Sequence, residues 1–298
     1  MRAALRVAVV IGLIQGVFEW LPVSSEGNVA LYLTVVEGRP ETAAVQYALF
    51  LHAGTALAAA LYYRGEILAV LRTLPRWRPG GAFADRERAD CSFLAVATLV
   101  SGGVGIVAYL ALEAVVSAVA GGAFVTLVGL LLVGTGLVQR AANRGGAARA
   151  DGGTPAEAED ATPAAGPGTA LGERERGTLP DALLVGALQG LAILPGVSRS
   201  GTTVSALLLR GYRAEAAFRL SFLLSIPAAV GAGLLVVLDT GVSGVEPLAA
   251  ALALGTSAVV GYATIDGLLR VVQRIAFWLV CLVLGGLAVV GGLLAGVV

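Results

Sequence analysis

Hydrophobic residues occur along this chain in long uninterrupted runs rather than in the short periodic clusters of a soluble protein. Six runs are long enough to cross a membrane as helices, because roughly 20 apolar residues span the hydrocarbon core. The predicted spans are 45–63, 92–112, 122–138, 216–238, 247–269 and 275–297. The pattern therefore predicts an all-α fold, that of a polytopic membrane protein.

Two other apolar segments are interrupted and are too short on either side of the interruption to cross. The first broken segment covers about 5–36 and is interrupted from Pro22 onward. The second broken segment covers about 183–209 and is interrupted at Pro195-Gly196, with a new helix expected near Thr202. Proline removes a backbone donor and glycine admits unusual dihedral angles, so a helix ends at each point. Each segment is predicted to be a re-entrant helical hairpin, entering and leaving the membrane on one side.

The second half of the chain repeats the order of the first, a broken segment followed by three spans. Residues agree as well: Gly12-x-x-Gln15-Gly16 matches Gly186-x-x-Gln189-Gly190, and Leu21-Pro22 matches Leu194-Pro195. Three crossings are an odd number, so the second half starts on the opposite side of the membrane. The sequence therefore predicts an inverted-topology repeat, with both broken segments meeting near the midplane, where such folds place a binding site.

The predicted organisation has three parts. Residues 1–139 form the first repeat, 140–178 a disordered cytoplasmic linker, and 179–298 the second repeat. The linker is predicted from its content of Ala, Gly, Pro, Asp and Glu without apolar periodicity, and no chemistry is expected from it.

Composition and charge agree with a membrane location and suggest an orientation. Hydrophobic residues make up 57% of the chain and charged residues 13%, with a mean hydropathy of +0.85, and nothing indicates nucleic-acid binding. All 20 basic residues are arginine, and sixteen fall on one side of the predicted topology. By the positive-inside rule this side is cytoplasmic, so both termini and the first broken segment are predicted to face outside.

The interruption of the second broken segment has the composition of an anion site. Ser198, Arg199, Ser200 and Thr203 surround the start of the new helix, with Gly201 among them. Amides at a helix N-terminus, its positive dipole end and a guanidinium fork all suit phosphate oxygens. The alternative is structural: serine and threonine are ordinary helix caps, and arginine can lie at a membrane surface.

The first broken segment supplies ionisable and amide groups. Gln15 and Glu19 lie one turn apart on one helical face, and Ser25, Glu26 and Asn28 follow in the turn. A carboxylate at membrane depth is costly and by default functional, although Glu19 could instead cap the site, and Glu26 could be a solvated loop residue. Ser25 can present a nucleophilic hydroxyl or cap the following short helix.

Together the two segments predict metal-assisted phosphoryl hydrolysis. The oxygens of Glu19, Gln15 and Glu26 are hard ligands suited to Mg²⁺ or Ca²⁺, and such an ion would bridge to phosphate while Arg199 neutralises charge. A zinc site is not expected, because the chain has one histidine, His52.

The stretches GLIQGVFEWLPVSSEGN (12–28) and LQGLAILPGVSRSGTT (188–203) resemble the two signature motifs of the undecaprenyl pyrophosphate phosphatase family, which is also known for bacitracin resistance. The resemblance covers nearly the whole chain except the linker. It implies an integral membrane enzyme that removes the terminal phosphate of a polyprenyl diphosphate and so regenerates the lipid carrier of cell-envelope glycans. It also implies a homodimer in the cell membrane with the site open to the outside.

The resemblance assigns roles by position. Gln15 and Glu19 match a Glu/Gln-x-x-x-Glu motif with Glu19 catalytic or metal-linked, and Ser25 matches a serine acting at the reacting phosphate. The phosphate-binding loop is matched by Ser198, Arg199, Ser200 and Thr203. One departure stands out: Asn28 replaces the family's usual histidine, and asparagine cannot act as a general base.

The sequence leaves both the mechanism and the function open. Ser25 could attack with Glu19 as its base, a metal-bound water could attack instead, and His52 could reach the site from the first span. The main alternative function is a secondary transporter or flippase of a lipid phosphate or other anion, since inverted repeats also build transporters. A protein that sequesters the lipid is a third possibility.

Overall fold

The computed structural model describes residues 2–118, 121–150, 173–240, 246–272 and 274–295, and within them the regular structure is helical. Eleven α-helices are described in these ranges: α1 (Arg2–Phe18), α2 (Ser25–Leu31), α3 (Glu41–Tyr62), α4 (Arg64–Thr73), α5 (Arg86–Ala118), α6 (Gly122–Ala150), α7 (Leu179–Leu191), α8 (Arg199–Leu209), α9 (Ala214–Thr240), α10 (Pro247–Val272) and α11 (Phe277–Ala295). A π-helical turn at Tyr32–Val36 extends α2.

Six of these helices are long and apolar enough to cross a membrane, which confirms the six predicted spans. They are α3, the Arg86–Leu112 part of α5, the Gly122–Arg144 part of α6, the Ala214–Leu238 part of α9, α10 and α11. Large apolar side chains such as Leu99, Val107 and Val259 are exposed on their outer surfaces. Such an apolar exterior is typical of lipid-facing helices, and the chain is a multi-pass membrane protein.

The two broken segments are present as pairs of short helices, α1 with α2 and α7 with α8. Their re-entrant path and the two repeat boundaries stay predictions. Helix α1 packs on α10, α7 packs on α5, and α3 packs on α9 in the centre. A β-carbon on Gly12 or Gly186 would come within 2.7 Å of the backbone oxygen of Ala253 or Ala97, respectively. The matched glycines therefore permit close helix packing in both halves.

The predicted helix ends need correction at the broken segments. Helix α1 ends at Phe18, before Pro22, and α8 begins at Arg199 rather than near Thr202. The earlier start of α8 has a local cause, because the Ser198 side chain accepts a hydrogen bond from the Gly201 amide and caps the helix.

Both ends of the predicted linker, 140–178, lie in the described part of the chain. Helix α6 continues through Ala150, consistent with the high helix propensity of alanine and arginine after residue 138. At the other end, Arg174 forms a backbone bridge with Tyr212, and Glu175 forms ion pairs with Arg86 and Arg213. Residues 151–172 of the predicted linker lie outside the described part of the chain.

A buried carboxylate fixes the start of the second broken segment. Asp181 in the first turn of α7 accepts hydrogen bonds from Arg174, Arg210, Tyr212 and Thr178 at 2.6–2.8 Å. Burial alone would raise the pKa of Asp181, but these donors and the arginine charges outweigh it and hold the pKa below its usual value. The cluster ties α7 to the segment after α8.

Candidate active site

The end of α1 presents a carboxylate that is already surrounded by donors. Glu19 follows the last helical residue and is 5% exposed. The side-chain amide of Gln15, one turn earlier, donates to Glu19 Oε2 at 2.9 Å. Ser25 at the start of α2 donates its hydroxyl to the same oxygen at 2.8 Å. The turn between α1 and α2 therefore folds back so that serine and carboxylate meet.

Ser24 joins the two broken segments. Its hydroxyl oxygen accepts from the Gly27 amide at 3.0 Å, which caps α2, and from the Gly196 amide, also at 3.0 Å. Gly196 has a φ of +106°, and a β-carbon there would collide with the backbone oxygen of Val128 in α6. Only glycine allows the second segment to approach both Ser24 and α6 so closely.

Arg199 of the second broken segment forms an ion pair with Glu19 of the first. Its Nη2 donates to Glu19 Oε1 at 2.8 Å, and its side chain is 13% exposed. Nη1 reaches the backbone oxygen of Ser221 at 3.4 Å, and the guanidinium lies over the Phe222 ring at 5.7 Å. Helix α9 thus positions the guanidinium at the start of α8, where the helix dipole adds positive potential.

His52 of α3 completes the charged cluster. Its Nδ1 lies 2.9 Å from the Ala48 backbone oxygen, and because a carbonyl only accepts, Nδ1 carries a hydrogen. Nε2 faces the two carboxylates and lies 3.3 Å from Glu19 Oε2 and 3.5 Å from Glu26 Oε1. The possibility that His52 reaches the site from the first span is realised in the structure.

A small cavity of about 20 Å³ lies between the start of α2 and the start of α8. Most residues predicted for the site line it, and these are Glu19, Ser25, Glu26, Ser198, Arg199 and Ser200, together with His52. Ser25 thus lies at the N-terminus of α2, and Ser198 and Ser200 lie at the N-terminus of α8, which begins at Arg199. The arrangement offers hydroxyls, the N-terminus of α8 and a positive charge to the oxygens of an anion such as phosphate.

Three other predicted residues do not line this cavity. Gln15 lies behind Glu19 and holds it, whereas the Asn28 amide donates to the Ser24 backbone oxygen at 2.7 Å. The Thr203 hydroxyl is bonded to Ser221 Oγ at 2.7 Å and to the Arg199 backbone oxygen. Asn28 and Thr203 therefore support the two segments from behind, and their direct contact with substrate stays a prediction.

Residues of α6 hold the site in a way that the motifs did not indicate. The Thr135 hydroxyl accepts from the Ser198 amide at 3.2 Å and donates to the Gly196 backbone oxygen at 3.3 Å. Gln139 donates to the Pro22 backbone oxygen. The signal that could have revealed them is the same one that marks Glu19, a polar side chain within an otherwise apolar run.

The residues predicted to hold a metal ion differ in whether their oxygens are free. Gln15 Oε1 and Glu26 Oε2 are buried acceptors that have no hydrogen-bond partner among the described residues, as expected of oxygens able to ligate a hard cation. Both oxygens of Glu19, in contrast, already accept from side-chain donors. Among the described residues, no group of three or more His, Cys, Asp or Glu side chains has a metal-holding arrangement. The free oxygens are therefore those of Gln15 and Glu26, and a cation bound to them would share the Glu19 carboxylate with its present donors.

Comparisons with known proteins agree with the motifs. A family described as "Bacitracin resistance protein BacA" matches residues 8–289. A protein of Haloarcula marismortui named undecaprenyl-diphosphatase is 54% identical over 97% of each chain. Proteins of the same name from Methanococcoides burtonii and Methanopyrus kandleri are 34% and 36% identical, over 95% and 94% of this chain and 96% and 93% of their own lengths. The chain therefore belongs to the bacitracin resistance protein BacA family.

Proposed function

We propose that this protein is a membrane phosphatase that hydrolyses a polyprenyl diphosphate of the undecaprenyl type to the monophosphate and inorganic phosphate. The sequence similarity to relatives named undecaprenyl-diphosphatase covers nearly the full length of the chain. The released monophosphate would serve again as a lipid carrier for cell-envelope glycans. The comparisons give no support to the alternative of a transporter or flippase.

The observation that carries the proposal is the meeting of a hydroxyl, a carboxylate and a guanidinium in one buried place. Ser25 donates to Glu19, and Glu19 is paired with Arg199 from the other half of the chain. A nucleophile hydrogen-bonded to its base, beside a cation suited to phosphate, is the arrangement required for phosphoryl transfer to a side chain.

The first half-reaction follows from these contacts. The guanidinium of Arg199 and the N-terminus of α8 bind the terminal phosphate, and the Ser25 oxygen attacks its phosphorus. The hydroxyl proton passes to Glu19 Oε2, 2.8 Å away. The bond between phosphorus and the bridging oxygen breaks, and the polyprenyl monophosphate leaves with a phosphoserine left at Ser25.

Water completes the reaction in the second half. It attacks the phosphoserine phosphorus, gives a proton to the carboxylate–imidazole cluster, and the bond from phosphorus to the Ser25 oxygen breaks. Inorganic phosphate leaves, the Ser25 oxygen regains a proton from Glu19, and the remaining proton is released to water, which restores the starting protonation of the cluster. His52 Nε2, between Glu19 and Glu26, can hold the exchanged proton, which supplies the imidazole that Asn28 cannot provide.

A divalent cation, Mg²⁺ or Ca²⁺, is part of the proposal. Gln15 Oε1, Glu26 Oε2 and the Glu19 carboxylate are the oxygens that would hold it. When bound, the ion would polarise phosphoryl oxygens as a Lewis acid. Arginine distribution supports a site facing outside in the cell membrane, because the arginine-rich loops would be cytoplasmic. A homodimer is proposed from family resemblance alone.

The test is phosphate release from a polyprenyl diphosphate by purified protein in detergent, with Mg²⁺, with Ca²⁺ and with EDTA. We expect release that requires a divalent ion and is abolished in Glu19→Gln and Arg199→Ala. Glu37→Gln, a carboxylate paired with Tyr32 away from the site, is the control and should retain activity. Folded protein that releases no phosphate with any diphosphate or ion would overturn the proposal.

A further inference from the structure

Helix α4 exposes leucines where a helix outside the membrane would normally expose polar side chains. Leu68 and Leu71 lie on its outer face and Leu74 follows at its end, and the three are 48%, 51% and 51% exposed. Residues three apart in a helix are neighbours on one face, so the first two leucines form a continuous apolar surface. The described part of the chain leaves this surface open.

The inner face of α4 is fixed to the protein. Ile67 packs against a buried cluster that includes Tyr63 and Phe222, and the latter ring lies beneath the guanidinium of Arg199. Thr73, on the same inner side, is 6% exposed. The helix is therefore held from within and presents its leucines outward.

The neighbours of α4 place it at the boundary of the bilayer. It begins at Arg64, directly after the span α3, which ends at Tyr62. Further along, Trp77 donates its indole hydrogen to Ser92 Oγ at 2.8 Å, within the second turn of α5. The segment 64–78 thus lies beside the ends of two spans, where tyrosine and tryptophan are enriched.

The same segment has an excess of positive charge. Residues 64–78 contain four arginines and one glutamate. Arg72 and Arg76 are exposed, and their guanidinium groups meet no acceptor among the described residues. The guanidinium groups of Arg64 and Arg78 donate only to backbone oxygens in the same part of the chain. These four charges are not neutralised by a described carboxylate, so their donors are available to phosphate groups.

We propose that the segment 64–78 is an interfacial anchor that binds the surface of an anionic bilayer. The three leucines lie at the boundary between headgroups and acyl chains, and Arg72 and Arg76 bind the phosphates of anionic lipids. An apolar face combined with arginine is typical of helices that lie in the interface, and basic residues beside a span attract anionic lipids. A second copy of the chain docked face to face would instead bring like charges together. Because α4 directly follows α3, the anchor also holds the end of the helix that carries His52.

Fluorescence quenching in lipid vesicles tests this location independently of phosphate release. Leu71→Cys introduces a thiol on the outer face of α4, whereas Cys91 and Cys281 of the natural chain are buried. The thiol is labelled with a fluorophore and quenched either by a water-soluble nitroxide or by a lipid that carries a nitroxide just below its headgroup. Gly80→Cys is the control, because Gly80 is exposed beyond the segment and a β-carbon there would meet no described atom within 4 Å.

We expect the lipid-borne nitroxide to quench the label at position 71 about threefold more strongly than the label at position 80, and the water-soluble nitroxide to give the reverse order. Strong quenching at position 71 by the water-soluble nitroxide would overturn the proposal. Protection of this label from both quenchers would also overturn it, because protein, such as a second copy of the chain, would then cover α4.

The choice of lipid tests the arginines. With the nitroxide on an anionic lipid, quenching of the Leu71→Cys label should be about twofold stronger than with the nitroxide on a zwitterionic lipid, and about 0.5 M salt should remove the difference. Arg72→Gln with Arg76→Gln should abolish this preference. Arg88→Gln with Arg270→Gln removes the same charge from arginines paired with carboxylates and should retain it. Equal quenching by the two lipids without these substitutions, or its persistence in Arg72→Gln with Arg76→Gln, would refute the role of the two arginines.

Discussion

Arg199 Nη2 lies 2.8 Å from Glu19 Oε1, although the two residues are 180 positions apart in the chain. The pair joins the first broken segment to the second, and both side chains are largely buried. A phosphate entering the site therefore meets a guanidinium that is already oriented by a carboxylate. The same carboxylate holds the Ser25 hydroxyl through its other oxygen, so the anion site and the nucleophile share one anchor.

The geometry of Arg199 predicts that a positive charge alone at this position is insufficient for full activity. Arg199→Lys keeps a positive charge but loses the planar fork that reaches Glu19 and the Ser221 backbone together. We expect kcat/KM for the diphosphate to fall by at least about tenfold in Arg199→Lys and by about 100-fold or more in Arg199→Ala. Steady-state phosphate release measures both, with thermal unfolding as the control for folding. Equal activity of Arg199→Lys and the natural protein would contradict the assigned role.

The contact between Ser25 and Glu19 predicts a covalent intermediate. Ser25→Ala removes the attacking oxygen, and we expect kcat to fall by about 100-fold or more. Acid quenching during turnover, followed by mass spectrometry, should find phosphate on the peptide that contains Ser25. The same peptide from Glu19→Gln should carry much less. An active Ser25→Ala variant, without phosphopeptide in the natural protein, would favour direct attack by water.

Substitutions of His52 and Asn28 are predicted to differ sharply in their effect on activity, although Asn28, and not His52, occupies the position of the family's histidine. His52 Nε2 faces Glu19 and Glu26, whereas the Asn28 amide is bonded to the Ser24 backbone. We expect His52→Gln to lower kcat by about 100-fold or more, within the range of acid–base catalysis, and Asn28→Ala to lower it by a few fold at most. Comparable losses in both variants would show that the histidine function does not reside at His52.

The sequence predicted the helices and interruptions that carry this site better than it predicted the contacts between them. A bilayer requires a minimum length of apolar helix, and proline or glycine interrupts it, so the spans and both interruptions can be inferred from local pattern. The proximity of Arg199 to Glu19, and of Thr135 to the second segment, depends on how distant helices rotate and pack. A single sequence does not specify these contacts. Helix α6 continues past residue 138, where the predicted span ends. Outside the membrane, helix propensity rather than hydropathy determines whether a helix continues.

The Asp181 cluster predicts a pH-dependent contribution to stability. The folded-state pKa of Asp181 lies below its usual value, so its ionised form stabilises the fold above the unfolded pKa of about 4. This contribution is lost as the pH falls through the lower folded-state pKa. We expect Asp181→Asn to lower the Tm by several degrees at pH 7, and the difference from the natural protein to shrink below about pH 4.

The control for Asp181 is Asp85→Asn, because Asp85 is exposed and pairs only with its helical neighbour Arg88 and that residue's amide in the described structure. An exposed pair of this kind contributes little, so this variant should show a Tm close to that of the natural protein at every pH. Detergent-solubilised protein followed by differential scanning fluorimetry gives both curves. A Tm difference for Asp181→Asn that stays constant down to pH 3 would contradict the lowered pKa.

Substitution of Gly196 separates two effects of an added β-carbon, namely backbone strain at a positive φ angle and a collision with α6. Both Gly196 and Gly38 have positive φ angles, +106° and +62°, but a β-carbon on Gly38 would meet no atom of the described residues within 4 Å. Gly38→Ala should therefore cost only the backbone strain, roughly 1 kcal/mol, and keep full activity. Gly196→Ala adds a collision with the Val128 backbone in α6, and relief of it must displace the amide that donates to Ser24. We expect Gly196→Ala to lose most phosphate release and to unfold at a lower temperature than Gly38→Ala. Similar activity in the two variants would mean that α6 does not constrain the position of Arg199 and its helix.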